Sequence, residues 1–123
     1  MSTRSAIIIR TKAGFSGIYC HNNGEPEYVG KTLREHYLDP QKVRELIALG
    51  DISSLGERVH PIGPHSFDNR EPDTTVAYGR DRGESNVEAT HTSTALEMLE
   101  IFRDRDAEYA YIFGGLGWTT NKL

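Results

Sequence analysis

IYCHNNGEPEYVGKTLREHYLDPQKVRELIALGDISSLG, residues 18–56, carries helix starts, helix stops and apolar spacing that agree with one another. Asn22-Asn23-Gly24 is turn chemistry, because Asn and Gly tolerate positive φ at little cost. Pro26 fits a first helical position, and Val29, Leu33 and Tyr37 fall on one helical face, which predicts a helix over about 27–37. Asp39-Pro40 supplies a second start, with Asp39 as cap and Pro40 inside it. Val43, Leu46 and Ile47 form the apolar stripe of a helix over 40–49, and Gly50 provides its left-handed stop. Ile52 and Leu55 are expected to tuck a turn back beneath the two helices.

Ala6-Ile7-Ile8-Ile9-Arg10-Thr11 is β-branched and short, and the extended pattern resumes at Phe15 after Lys12-Ala13-Gly14. This predicts an N-terminal hairpin over 6–21. Pro61, Pro64 and Pro72 interrupt residues 57–73, where no period survives. A loop of seventeen residues exceeds the usual connection, and such loops are functional or mobile. Thr74 to Gly79 reads as a strand, followed by the charged turn Arg80-Asp81-Arg82-Gly83-Glu84. Thr94 and Glu97 have capping-box spacing, and Ala95, Met98, Leu99 and Phe102 form the face of a helix over 95–103. Tyr109 to Phe113, the turn Gly114-Gly115-Leu116-Gly117 and Trp118 to Thr120 make a C-terminal hairpin over 109–120. Strands at both ends that enclose helices predict one α+β domain over 1–123: an antiparallel sheet with about three helices packed on one face. A doubly wound sheet would require strands and helices to alternate throughout, and only the middle does so.

At 123 residues the chain is long enough to bury a core without staples. Eighteen acids against fourteen bases give a net charge of −4, too little to imitate nucleic acid and of the wrong sign for gripping it, so direct nucleic-acid binding is disfavoured. The lone Cys20 forms no internal disulfide, and no apolar run reads as a signal peptide or membrane span; the expectation is a cytoplasmic protein without membrane contact.

Cys20-His21 offers a thiol beside an imidazole, yet neighbours on a strand point to opposite faces. His36, His60, His65 and His91 lack paired ligand spacing, so neither a metal nor a cofactor is expected. His60-Pro61-Ile62-Gly63-Pro64-His65 puts two imidazoles on the long loop. Arg80 and Arg82, with Asp81 between them, provide guanidinium groups suited to bidentate grip of a carboxylate or phosphate. Glu25, Glu27 and Glu35 near His36 are explained as carboxylates complementing a helix start. Gly114-Gly115-Leu116-Gly117 lacks the strand-to-helix context of a nucleotide loop and reads as a hairpin turn.

Several segments resemble a family of small phage and prophage proteins: the opening Met1-Ser2-Thr3-Arg4-Ser5, Ile18-Tyr19-Cys20-His21, Tyr28-Val29-Gly30, Glu35-His36-Tyr37, Leu49 through Gly56, His65-Ser66-Phe67-Asp68, Val76 through Glu84 and Glu108 through Tyr111. The chain departs from that pattern at Asn22-Asn23, where the family usually carries Trp-Asp. The family has no established activity, so the resemblance implies viral origin and an accessory role. The expected function is a non-enzymatic accessory protein that binds and inhibits a host factor, such as a defence complex of the CRISPR interference type. Its partner would be a host protein or ribonucleoprotein complex, with self-association left open. Arg80, Arg82, Asp81 and His65 are the expected binding residues. The alternative is a small-molecule or nucleotide-binding protein, or a small enzyme, whose pocket uses His21, His36, His65, Arg80 and Arg82.

Overall fold

A computed structural model describes residues 2–123. It contains, among those residues, a seven-stranded mixed sheet and four α-helices. Strands β1 (Ser5–Thr11) and β2 (Gly14–Cys20) form the N-terminal hairpin, in register from Ser5 opposite Cys20 to Thr11 opposite Gly14. A π-helical turn, Pro26–Gly30, runs into α1 (Lys31–His36), so the helix expected over 27–37 is composite. A Cβ on Gly30 would lie 3.1 Å from the Tyr111 ring, and glycine is what allows this approach. Helix α2 (Pro40–Ala48) begins at Asp39, whose carboxylate accepts the Gln41 N–H at 3.0 Å. Gly50 closes the segment at φ 77°, the left-handed conformation expected of it.

The next elements are shorter than the sequence suggests. Ile52–Ser54 is a strand, β3, where a turn was expected, because its backbone pairs beside β2 at Cys20. Of the strand expected over 74–79 only β4 (Val76–Ala77) is extended, and Tyr78–Arg82 coils into a short helix, α3, capped by Gly83 at φ 73°. A third short strand, β5 (Thr90–Thr92), precedes α4 (Ala95–Asp104), where Thr94 Oγ1 accepts the Glu97 N–H at 3.2 Å. Strands β6 (Tyr109–Phe113) and β7 (Trp118–Lys122) form the C-terminal hairpin.

The strand order is β4-β3-β2-β1-β6-β7, with β5 also paired to β2. Two pairings are parallel, β1 with β6 and β2 with β3, which corrects the expectation of a purely antiparallel sheet. Strands running the same way cannot be joined by a tight turn and need a crossover. The connection from β2 to β3 passes through α1 and α2, and α4 carries the chain from β5 to β6 on the far side. The helices therefore cover both faces, not one. On one face Leu33, Val43 and Leu46 of α1 and α2 pack on Ile7, Ile9 and Ile18; on the other Met98 and Phe102 of α4 pack on Ala6, Ile8 and Ala110. Alternation along β1 sends its residues to the two cores in turn. Gly17 brings α4 close, since a Cβ there would sit 3.0 Å from both Ile8 and Met98.

Candidate functional site

Between β3 and β4 the chain makes an Ω-loop, a compact surface loop whose ends meet. The Arg58 N–H donates to Asp73 O at 3.0 Å and the Thr75 N–H to Arg58 O at 2.9 Å, pinching residues 59–73 at their base. Val59 is buried in the core beneath them. Two carboxylates hold the interior. Glu71 accepts the N–H groups of Ile62 and Gly63, at 3.0 and 2.7 Å, together with the Thr74 hydroxyl and the Arg58 guanidinium. The Thr74 hydroxyl, followed by those backbone N–H groups, holds the Glu71 carboxyl down at about 2 against the opposing effect of burial.

The second carboxylate is Asp81, in the single turn of α3. Its Oδ2 accepts from His65 Nε2 at 3.1 Å and from the Ala77 N–H at 2.8 Å, while Arg80 Nε donates to Oδ1 at 2.8 Å. The His65 and Asp81 side chains are only 1% and 5% exposed. Burial alone would raise the Asp81 carboxyl, yet the bonds from Arg80, Ala77 and His65 outweigh it and keep the group at about 2. His65 Nδ1 accepts the Glu71 N–H at 2.9 Å, which puts the ring proton on Nε2, facing Asp81. Arg80 also donates to Val59 O and Thr75 O, each at 2.7 Å. Its guanidinium thus stitches loop to sheet and has little left for a partner.

What the stitched loop presents is different. A turn at Ser66–Asn69, closed by the Ser66 N–H on Asn69 O at 3.1 Å, raises Phe67. Arg82 lies 4.3 Å and Arg70 4.7 Å from the Phe67 ring centre, and Tyr78 packs 5.7 Å away. Arg82 is 50% exposed and pairs with Glu84. The result is an arginine–aromatic ridge on the surface, backed by buried hydrogen bonds.

The other expected site residues stand apart. His21 Nδ1 bonds the Tyr19 hydroxyl at 2.9 Å, on the sheet face opposite Cys20. Cys20 is fully buried, and burial pushes its thiol up to about 12. His36 Nε2 lies 3.5 Å from Glu57 and lines a groove of about 350 Å³ with Asn23, Tyr28, Lys31 and Leu55. Among the described residues no three His, Cys, Asp or Glu side chains converge to hold a metal ion. No described helix is long and apolar enough to cross a membrane.

Phe67, Arg70 and Glu71 were not among the residues expected at a site. Ser66-Phe67-Asp68-Asn69 has turn composition and could have marked the ridge. The partners of Glu71 depend on the path of the loop, which no local pattern encodes. Comparison with protein-family models, curated proteins and solved structures gives no match.

Proposed function

We propose that this chain acts by binding: it is an accessory protein of the phage type that docks on a host protein or ribonucleoprotein complex and inhibits it, with a defence complex as the leading candidate. The resemblance of its segments to small phage proteins supports the origin. The Ω-loop supports the mode of action, and its internal bonding is the observation that carries the reading. Strands β3 and β4 are antiparallel neighbours, which a two-residue turn can join. The chain instead inserts a long excursion and holds it with two low-pKa carboxylates, a buried histidine and Arg80. Ordering the loop before binding removes an entropic cost that a mobile loop would meet on contact. The presented groups, a phenyl ring between two guanidinium groups, are of the kinds enriched in protein interfaces.

Arg70 and Arg82 suit a partner surface bearing carboxylates. Capture from host-cell lysate with wild type and with the Arg70→Ala, Arg82→Ala double variant tests this reading. The variant should lose its partner while its melting temperature stays within a few degrees of wild type, and wild-type capture should weaken with added salt. Equal capture of the same partner by both proteins would remove the ridge from the interface.

A further inference from the structure

The two ends of the sheet are treated differently. At one end β4 is two residues long, shifts register against β3 and passes directly into α3. These are devices that blunt an edge. At the other end β7 runs for five residues with no bulge and no proline, and no strand lies beyond it among the described residues.

The register identifies which backbone groups are open. The Gly114 N–H donates to Gly117 O at 3.2 Å and the Leu123 N–H to Glu108 O at 2.9 Å. Bonded pairs in an antiparallel ladder recur every second residue, so Thr119 and Asn121 face β6. Trp118, Thr120 and Lys122 direct their N–H and C=O groups outward.

We propose that β7 pairs with β7 of a second copy of this chain, antiparallel about a two-fold axis through Thr120, joining two sheets into one. In that register each outward residue meets another outward residue: Thr120 opposite Thr120, and Trp118 opposite Lys122 at both ends. Three such pairs give about six interchain hydrogen bonds. Thr–Thr is a favourable cross-strand pair, and the strand's single charge, Lys122, faces an aromatic residue instead of its own copy. Trp118 is already fixed, its Nε1 donating to Tyr37 O at 2.9 Å and its ring 5.1 Å from Phe113, so little is left to order on pairing. A second copy thus supplies a strand whose register and charge match this edge.

Sedimentation of the 123-residue chain should give the mass of two copies. Thr120→Pro removes an N–H that β6 does not use and should leave a folded monomer, since proline is accepted where an edge N–H faces solvent. Thr120→Lys sets like charges opposite each other and should act the same way. Thr120→Cys should form an interchain disulfide on mild oxidation, because bonded antiparallel pairs place Cα atoms at about 5.5 Å, within disulfide range. Asn121→Cys should not, and Cys20 is too buried to react. A wild-type chain that stays monomeric at high micromolar concentration would overturn the proposal. A dimer that persists in folded Thr120→Pro or Thr120→Lys, or that cross-links equally at 121, would overturn it as well.

Discussion

Arg80 and Arg82 are two positions apart and do opposite work. Each nitrogen of the Arg80 guanidinium meets an acceptor at the loop base, whereas Arg82 stacks on Phe67 and Tyr78 at the surface. Arg80→Ala would leave the Asp81 carboxylate buried without its main partner, and breaking such a pair costs about 3 kcal/mol. Arg82→Ala removes an exposed ion pair and a stacking contact, worth about 1 kcal/mol or less. Urea denaturation of the two variants should separate them clearly; equal costs would mean that the buried pair adds nothing. Asp81 and Glu71 also set an acid limit. Both carboxyls sit at about 2 in the folded chain, below the unfolded range of about 4, so the folded state binds fewer protons. Their contribution is complete above that range and is lost as pH falls from about 4 towards 2. Asp81→Asn should flatten this acid-side loss in a urea midpoint measured against pH; an unchanged slope would assign the acid sensitivity elsewhere.

Helices α2 and α4 were legible because their signals are local: Asp39 and Thr94 as caps, Gly50 as a stop, apolar side chains at helical spacing. Which face each helix covers was harder to read. That depends on β1 pairing with β6 across most of the chain, although Ala6-Ile7-Ile8-Ile9, apolar on both faces, already marks a central strand covered twice. Strands β3 and β5, three residues each, are too short to show a period. At the candidate site, the charge of residues 80–82 and the prolines of the loop were visible, while the hydrogen bonds of His65 and Glu71 were not, being products of tertiary geometry. Leu46 and Phe102 are both fully buried, in separate cores on opposite sheet faces. Leu46→Ala and Phe102→Ala should each cost about 2–5 kcal/mol, and the double variant should cost their sum to within about 0.5 kcal/mol. Strong non-additivity in denaturation would show that the cores are not independent. Gly17→Ala should cost about 1–3 kcal/mol, because the added methyl presses on Ile8, Met98 and Phe102.

The molecule as a whole is a sheet covered on both faces, with its unusual bonding concentrated in one surface loop. Sheet and helices supply a rigid frame; β4 and α3 carry Asp81 and Arg80 to the loop base; the loop raises Phe67 between Arg70 and Arg82. A binding surface of this kind requires the loop to be ordered in the free protein. Amide hydrogen exchange measures this directly, since loops normally open at little cost while core amides open only with global unfolding. The amides of Ile62, Gly63 and Glu71, which donate to Glu71 and His65, should exchange well below the rate of an unstructured loop, and Glu71→Gln should release those of Ile62 and Gly63. Fast exchange at these three amides in the wild-type chain, comparable to that of the exposed tip at Gly114–Gly117, would contradict the claim that the loop is built in advance of its partner.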